Sequence, residues 1–482
     1  MNDRAPRRLP ATGDGEQGAA TLRFLGAART TTGSLHRLRT AAGDLVLDCG
    51  MYQGHRAEAE SWNRELPLDV PRVRAAVLSH AHIDHCGALP NLVRMGYRGP
   101  ILATEATAEL LPILLADSAH VQRMDVERVN RRLPRDQWKA PLYDDEDVAQ
   151  TVRQIRPVPY GRAAPAMQGV EARFVDAGHI LGSAAVHLTV RVPDGRSTTI
   201  GFTGDLGRVD VPLLRDPEPL GEVEWYLTES TYGDREHEDE AGIERRLGEI
   251  VSRTVARGGK VLIPAFAVGR TQLLLYLLHR LRFERKIPDV PIYVDSPMAK
   301  AVTEVFRRHH KLYDGEARDF VSCCGPLFTA ARTTFVGDSM ESRALNSLDG
   351  PAVIVSASGM LEGGRMVHHV IHQGTDERNV LLFVGYQAEG TLGRRLLDGA
   401  KTYRAFGDEH ELRARVEEIP GLSAHADRRG LLAYAKKLSR TPRRTFLVHG
   451  ESEKVDALAT YLGDHGLRDV VGPSPGDWER LL

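Results

Sequence analysis

Residues 79–87 read Ser-His-Ala-His-Ile-Asp-His-Cys-Gly and place three histidines and an aspartate within six positions. The stretch follows the apolar run Ala-Ala-Val-Leu at 75–78 and precedes a predicted helix. Because residues two apart on an extended chain point the same way, His80 and His82 can share one metal ion. Asp84 and His85 fall in the turn at the helix start, where they can face a second ion. The pattern therefore predicts a metal centre.

Further potential ligands follow short apolar runs elsewhere in the chain. They are Asp48 in LDCG, His179 in DAGHILGSA, Asp205 in FTGDLG and His449 in FLVHGE. Taken singly, each is a weak signal, because an aspartate in a glycine-rich turn more often serves the turn than a metal. Together with residues 80–85, however, they have the number and type of ligands that two Zn²⁺ ions require.

Cysteine does not contribute to this predicted site. The four cysteines, Cys49, Cys86, Cys323 and Cys324, form no CxxC pair and no disulfide framework in the 482-residue chain. The adjacent Cys323 and Cys324 are expected to pack as small apolar residues. Histidine and carboxylate side chains must therefore hold any metal.

The composition indicates a soluble protein with no membrane partner. Hydrophobic residues make up 42% and charged residues 27%, and no apolar run approaches the roughly 20 residues of a membrane helix. The formal net charge of -2 gives none of the global basicity that often marks nucleic-acid binders. Residues 1–20 contain no signal-peptide core, so we predict a disordered tail and a cytoplasmic location.

The chain is too long for one hydrophobic core and is expected to hold two domains. Short strands alternate with helices up to about residue 230, which indicates a mixed α/β domain. Residues 231–411 read as βα units typical of a parallel sheet flanked by helices. Residues 412–482 again place polar residues at strand ends, so we predict that they complete the domain of residues 21–230, which the middle domain interrupts.

The motifs together resemble a known family. The metal-ligand pattern is similar to that of the metallo-β-lactamase superfamily, and six further motifs resemble those of its β-CASP nucleases. These motifs are TESTYGDR, PAFAVGRTQ, SASGMLEGG, VGYQAEGTLGR, GLSAHAD and LVHGE. The resemblance implies an αββα metallo-β-lactamase sandwich with an inserted β-CASP α/β domain.

The resemblance also implies the roles of individual residues. His80, His82 and His179 would hold one zinc, Asp84, His85 and His449 the other, and Asp205 would bridge the two. Asp48 would orient a ligating imidazole. His425 would donate a proton to the leaving oxygen, with Glu229 orienting its ring. Asp48, Asp84, Asp205, Glu229 and His425 thus form the expected catalytic set.

The insert favours a polymeric substrate, since a small-molecule hydrolase has no need of residues 231–411. Arg270 lies between a predicted strand and helix, where a guanidinium and helix N–H groups can grip a phosphate. Similar glycine-rich turns provide the other candidate phosphate-binding residues, which are Ser356, Ser358, Gly359, Arg365, Thr391 and Arg394. Each such turn is as often purely structural.

The resemblance implies a zinc-dependent ribonuclease acting on single-stranded RNA, because RNA-directed members carry histidine in the last motif, as at His449. Three alternatives stay open: a catalytically inactive RNA-binding scaffold, a DNA nuclease and a small-ester hydrolase of the same fold. The motifs do not distinguish endonuclease from 5′-exonuclease activity. They also leave open the physiological RNA and the assembly state, for which a homodimer is one candidate.

Overall fold

The computed structural model describes residues 19–54, 56–237, 242–325, 327–328 and 332–482. The predicted tail over residues 1–20 lies, as far as residue 18, outside the described residues. The chain divides into two compact units. The first unit comprises Met1–Val211, Arg215–Glu236 and Ala424–Leu482, and the second comprises Pro212–Leu214 and His237–Ser423. The domain limits predicted at residues 230 and 411 stay predictions.

The first unit contains two seven-stranded sheets. The first sheet consists, in spatial order, of Trp478–Arg480, Thr21–Gly26, Leu35–Thr40, Gly43–Leu47, Val73–Val77, Ile101–Thr104 and Ile155–Val158. The second consists of Val470–Val471, Arg444–Val448, Trp225–Glu229, Ser197–Phe202, Ala184–Arg191, Val170–Asp176 and Ala163–Met167. Both sheets thus take strands from residues 424–482, so this C-terminal segment completes the first unit.

Apolar side chains from both sheets form one buried core between them, with Phe24 and Leu45 from the first sheet and Val186 and Phe202 from the second. This core accounts for the alternating burial along the first four residues of the strand Val170–Asp176, because side chains of a strand alternate between its two faces. Helices cover the outer faces: Leu431 and Leu458 pack with residues of the second sheet. The helices of the unit are Arg56–Arg64, Ile83–Cys86, Leu89–Arg94, Glu105–Asn130, Asp145–Gln154, Arg428–Lys436 and Ser452–Asp464. The αββα sandwich is therefore confirmed.

The second unit is built around a six-stranded sheet whose strand pairs are all parallel. In spatial order its strands are Thr333–Phe335, Ile292–Asp295, Ala352–Ser356, Lys260–Pro264, Val380–Phe383 and Arg415–Glu418. Its helices are Ile243–Ala256, Arg270–Phe283, Pro297–Arg308, Gly315–Cys324, Ser339–Ala344, Gly364–Gln373 and Leu392–Leu397. Thr402–Ala405 and Asp408–Glu411 form a separate hairpin. The prediction of an α/β insert with a parallel sheet is confirmed.

The sequence-based expectation for two cysteines is wrong. Cys323 and Cys324 are joined by a disulfide at the end of the helix Gly315–Cys324, where Cys323 is exposed. They do not pack as core residues, because the helix ends there with Cys323 exposed and Cys324 only partly buried. Cys49 and Cys86 are free and buried. Among the described residues, no helix has the length and apolar character to cross a membrane.

A histidine is buried in the core of the first unit. The His36 ring makes edge-on contacts with Phe24 from its own sheet and Phe202 from the other. Among the described residues, neither of its ring nitrogens has a hydrogen-bond partner. Burial lowers the pKa of His36 to about 4 from an ordinary value of 6.5. The folded protein therefore keeps this ring neutral where an unfolded chain would protonate it.

We expect the stability of the protein to depend on pH through His36. Because the pKa is lower in the folded state, the contribution of the neutral ring is complete above pH 6.5 and is lost as the pH falls towards 4. The loss amounts to about 3 kcal/mol. Urea unfolding at pH 7.5 and pH 5 is expected to show a smaller pH dependence in His36→Leu than in the wild type. The exposed His465→Leu should match the wild type, and an equal pH dependence in all three proteins would contradict the assignment.

Candidate metal centre

The strands of the first unit bring the predicted ligands to one place. Asp48 follows the strand Gly43–Leu47, and His80 and His82 follow Val73–Val77. His179, Asp205 and His449 follow Val170–Asp176, Ser197–Phe202 and Arg444–Val448 in the second sheet. Asp84 and His85 lie in the short helix Ile83–Cys86. The ligand positions thus coincide with strand ends and one helix start.

Among the described residues, three groups of side chains each have ligand atoms within 4.8 Å of one another, and two of these groups contain the predicted metal ligands. The first group is His80, His82, His179 and Asp205, and the second is Asp84, His85 and His449. In the first, Nδ1 of His82 lies 3.0 Å from Nε2 of His80 and 3.2 Å from Nε2 of His179. In the second, Nε2 of His449 lies 3.1 Å from Nε2 of His85 and 3.4 Å from Oδ2 of Asp84. Both donor sets have the composition of a metal site.

Asp205 lies between these two groups and faces each with a different oxygen. Its Oδ2 is 3.4 Å from Nε2 of His80 and 3.5 Å from Nε2 of His179. Its Oδ1 is 3.1 Å from Nε2 of His85 and 3.5 Å from Nδ1 of His449. This arrangement is that of a carboxylate able to bridge two cations.

The burial of Asp205 tests whether cations fit here. The side chain is almost fully buried, and the group nearest to its Oδ1 is the imidazole of His85 at 3.1 Å. A buried carboxylate is costly unless a positive charge lies beside it. Burial lowers the pKa of His82 to about 3 and lowers that of His80 as well. These imidazoles are therefore neutral, which is the form that binds metals, and the residues fit a metal centre.

Gly204 permits the close packing that sets the position of Asp205. It adopts a φ of +54°, and a Cβ atom there would lie 2.5 Å from Cβ of Ser79. Any other residue would meet both a strained backbone and a clash. The turn after strand Ser197–Phe202 can therefore approach the His80 loop only with glycine at this position.

Asp48 contacts His85 at Nδ1, the ring nitrogen that does not face the other potential ligands. Its Oδ2 lies 2.7 Å from Nδ1 of His85 and accepts hydrogen bonds from the hydroxyls of Ser34 and Ser79 at 3.0 and 2.9 Å. Its Oδ1 accepts from the backbone N–H of Ser79 at 2.8 Å. With Nδ1 bound to the carboxylate, Nε2 of His85 is directed at the second group. This contact orients a ligand and selects its tautomer.

His425 and Glu229 form a pair beside Asp205. Nδ1 of His425 lies 3.1 Å from both oxygens of Glu229, which is fully buried at the end of strand Trp225–Glu229. Nε2 of His425 lies 4.0 Å from Oδ2 of Asp205. Burial alone would lower the pKa of His425, but the two carboxylates outweigh it and raise this pKa to about 9. The pair thus holds a proton donor next to the candidate metal centre.

Three supporting residues were not assigned a role from the sequence. Ser34 and Ser79 donate to Asp48, and the Thr231 hydroxyl lies 3.2 Å from Nδ1 of His449. Ser79 directly precedes the histidine motif and Thr231 lies in TESTYGDR, so their proximity to motifs was the available signal. Ser34 has no comparable signal, because a single serine in a turn is ordinary turn chemistry.

The candidate phosphate-binding residues all lie in the second unit, at the carboxyl ends of its strands. Arg270 begins the helix Arg270–Phe283, and its Nη1 donates to the carbonyl of Val384 at 2.9 Å. The hydroxyls of Ser356 and Ser358 donate to the carbonyls of Asp295 and Gly363. These contacts connect neighbouring turns of the sheet, which is a structural role.

The remaining candidates also have partners within the unit. Nη1 of Arg365 donates a hydrogen bond to the buried carboxylate of Asp295 at 2.6 Å. The same carboxylate accepts a hydrogen bond from the Ser342 hydroxyl and lies 2.6 Å from Nε2 of His369. Thr391 caps the helix Leu392–Leu397, and Arg394 forms an ion pair with Asp398 on an exposed surface. Of the three candidate arginines, Arg365 is the one most firmly held by buried groups.

Three models of protein families match stretches of this chain. The metallo-beta-lactamase superfamily model matches residues 36–160, the Beta-Casp domain model residues 271–396, and the model of the Zn-dependent metallo-hydrolase RNA specificity domain residues 409–471. Ribonuclease TTHA0252 of Thermus thermophilus is 40% identical over 444 residues, covering 92% of this chain and 95% of that protein.

Two archaeal proteins of Methanocaldococcus jannaschii are each 32% identical to this chain. Transcription termination factor FttA aligns over 89% of this chain and 67% of its own length, and an RNase J-like protein over 89% and 92%. A crystal structure of a protein of unknown function from Enterococcus faecalis superposes with a TM-score of 0.54 at 12% identity, covering 96% of this chain and 100% of that one, which supports the fold alone. The chain belongs to the metallo-β-lactamase superfamily, among the members that carry a Beta-Casp domain.

Proposed function

We propose that this chain is a zinc-dependent ribonuclease that hydrolyses phosphodiester bonds of single-stranded RNA. The observation that carries the proposal is the position of the Asp205 carboxylate, whose two oxygens face two different groups of potential metal ligands. The His425–Glu229 pair lies beside this carboxylate. The name ribonuclease belongs to a relative 40% identical over nearly the whole chain. The match of residues 409–471 to an RNA specificity domain favours RNA over other substrates.

We further propose that the centre takes two Zn²⁺ ions. His80, His82 and His179 would hold one ion, Asp84, His85 and His449 the other, and Asp205 both. Bound by these residues, two zinc ions would supply a water of near-neutral pKa and positive charge opposite the phosphoryl oxygens. The protein contributes imidazoles that burial keeps neutral, such as those of His80 and His82, and the carboxylate of Asp48, which holds the ring of His85 in place.

The His425–Glu229 pair would handle the proton of the leaving group. Nδ1 of His425 donates to Glu229, so its Nε2–H is the bond available to the leaving oxygen. The Glu229 carboxylate stabilises the protonated ring before transfer and prevents its rotation. Glu229 is itself held by the backbone N–H of Leu206 at 2.6 Å. Glu229 is thus a positioning residue, and His425 is the proton donor.

Substrate phosphates are proposed to bind at the carboxyl ends of the second unit's parallel strands, near Arg270, Ser356, Ser358, Gly359, Arg365, Thr391 and Arg394. Ligands of α/β proteins commonly bind at this edge of a parallel sheet, near helix N-termini. The support is strongest for Arg394, which is exposed and whose ion-pair partner among the described residues is the exposed carboxylate of Asp398. Arg365 would first have to leave Asp295, so we expect its contribution to be indirect.

Metal removal is expected to abolish RNA hydrolysis and to destabilise the first unit. Protein as purified should contain roughly two zinc ions per chain, since both groups form full donor sets. Chelation should lower the melting temperature, because an ion bound only by the folded state stabilises it. His82→Ala is expected to hold less zinc than the wild type. Full activity in zinc-free protein, measured together with its metal content, would contradict the proposal.

The substrate class is tested with end-labelled oligonucleotides. Single-stranded RNA should be cleaved by the wild type, not by His82→Ala, while DNA of the same sequence stays largely intact. Internal products would identify an endonuclease, the mode we favour, and mononucleotides released from the 5′ end an exonuclease. Equal rates on RNA and DNA would instead indicate a general nuclease. Activity confined to nitrocefin or a thioester would indicate a small-ester hydrolase, and metal-free RNA binding without cleavage a scaffold.

We also propose two properties that the sequence led us to expect. The first is a cytoplasmic location, and the second is assembly as a homodimer. Analytical ultracentrifugation at several protein concentrations tests the second, with the mass of a single chain as the result that would contradict it.

A further inference from the structure

Two half-exposed aromatic rings lie at the carboxyl edge of the six-stranded sheet. Phe266 comes two residues after the strand Lys260–Pro264 and is 50% exposed. Tyr386 comes three residues after the strand Val380–Phe383 and is 51% exposed. These strands are neighbours, with Val261 opposite Val380 and Leu262 opposite Leu381. The two rings therefore emerge from adjacent turns on the same edge of the sheet.

The turns that carry the rings are tied to each other. A Cβ atom on Gly359 would lie 3.1 Å from two atoms of the Phe266 ring, so this ring lies against the bare backbone of Gly359. The buried Gln387 side chain donates to the carbonyl of Gly359 at 3.0 Å and to that of Tyr386 at 3.2 Å. Gly359 and Gln387 thus connect the two aromatic residues through short contacts.

The backbone on the Phe266 side is held as well. The Thr271 hydroxyl donates to the carbonyl of Phe266 at 2.7 Å, and Nη1 of Arg270 donates to the carbonyl of Val384, two residues before Tyr386. Large apolar rings usually gain stability by burial, and yet these two stay half-exposed on turns whose backbone is fixed by hydrogen bonds. A fixed backbone lowers the conformational entropy that the two residues lose when a ligand binds.

A cation and open space accompany the rings. The exposed Arg394 lies in the helix Leu392–Leu397, which follows the turn that carries Tyr386. Gly363, Gly385 and Gly390 lie in the turns of this edge, and a Cβ atom on any of them would meet nothing within 4 Å. An aromatic ring can stack on a nucleotide base, and a cation beside it can bind the phosphate of the same nucleotide. The open backbone around them leaves room for both.

We propose that Phe266 and Tyr386 form a base-stacking platform for single-stranded RNA, with Arg394 contacting the phosphate backbone beside it. The proposal rests on the proposed function and specifies how the substrate is bound. Bases within a duplex already stack on each other, whereas single-stranded bases can stack on aromatic side chains. Every base has a π face, so the platform would bind RNA with little sequence preference. Duplex RNA would be bound less tightly.

The test compares four proteins with two oligonucleotides. The proteins are the zinc-loaded wild type, Phe266→Leu, Tyr386→Leu and Phe283→Leu. Phe283 is the matched control, because it is an exposed phenylalanine of the same unit, 62% exposed. It lies at the far end of the helix that begins at Arg270, where its ring contacts Phe320. The oligonucleotides are a fluorescent single-stranded RNA with phosphorothioate linkages, which resist hydrolysis, and the same chain with abasic sites. Fluorescence anisotropy measures the Kd of each pair.

The wild type and Phe283→Leu should bind the base-bearing RNA more tightly than the abasic one. Phe266→Leu and Tyr386→Leu are each expected to weaken binding of the base-bearing RNA about 5- to 100-fold and to leave binding of the abasic RNA unchanged. The zinc content and the melting temperature of all variants should equal those of the wild type. This second readout also shows that each variant is folded.

Two results would overturn the platform. If the wild type binds both oligonucleotides with equal affinity, or if the two variants bind the base-bearing RNA as the wild type does, Phe266 and Tyr386 do not stack on bases. Both results leave the proposed ribonuclease function intact. Wild-type protein that binds neither oligonucleotide and cleaves no RNA contradicts the proposed function itself, and the platform with it.

Discussion

Asp205→Asn is expected to lower the rate of RNA hydrolysis by about three orders of magnitude or more. Both oxygens of Asp205 face ligand groups, so the substitution removes a negative charge from both candidate metal positions at once. Stabilisation of the transition state by metal ions amounts to several kcal/mol, and each 1.4 kcal/mol corresponds to about tenfold in rate. The change is nearly isosteric, which limits its effect on packing.

Zinc content and rate should be measured on the same preparations of this variant. Asp194→Asn is the matched control. Asp194 is an exposed aspartate that pairs with Arg196 in the turn before the strand Ser197–Phe202, whereas Asp205 follows the same strand. It should keep the zinc content and the activity of the wild type. If Asp205→Asn kept both as well, the bridging role would be wrong.

His425→Ala is expected to lower RNA hydrolysis by about 10²- to 10⁴-fold, the range typical of a lost general acid. The ribose oxygen is a poor leaving group and needs a proton, whereas p-nitrophenolate leaves readily without one. The variant should therefore hydrolyse bis(p-nitrophenyl) phosphate at nearly the wild-type rate. The structural basis is the 3.1 Å contact of Nδ1 of His425 with Glu229, which leaves Nε2 for the leaving oxygen.

Glu229→Gln serves as the companion variant for this prediction. Loss of a residue that orients a functional histidine commonly costs 10- to 100-fold, so its RNA hydrolysis should fall between that of the wild type and that of His425→Ala. Zinc content should be normal in both variants. Equal losses on RNA and on bis(p-nitrophenyl) phosphate would show that His425 supports the metal centre and does not protonate the leaving group.

Much of the fold could be predicted from local patterns. Strands of alternating or continuous apolar residues and the glycine-rich turns after them indicated an α/β protein with an inserted parallel-sheet domain. Such patterns depend on neighbouring residues, which a sequence displays directly. The disulfide between Cys323 and Cys324 could not be predicted in this way, because it depends on where the helix ends and how much of that end is exposed.

The candidate site was predicted in part for a similar reason. His80, His82, Asp84 and His85 lie within one short motif, and their residue types alone indicate metal chemistry. The supporting hydroxyl of Ser34 carries no such signal, since its role arises only from its contact with Asp48. The phosphate-binding candidates have internal partners that no motif reveals, of which the buried contact of Arg365 with Asp295 is the clearest.

By itself the sequence determined which chemistry this protein can perform, since the types and spacing of its histidines and carboxylates suit zinc and its motifs are those of one family. Only the tertiary structure decided that the two oxygens of Asp205 face different ligand groups and that Phe266 and Tyr386 stay half-exposed. The physical reason is distance along the chain. His85 and His449 are 364 positions apart yet 3.1 Å from each other, and such contacts follow from how whole sheets pack.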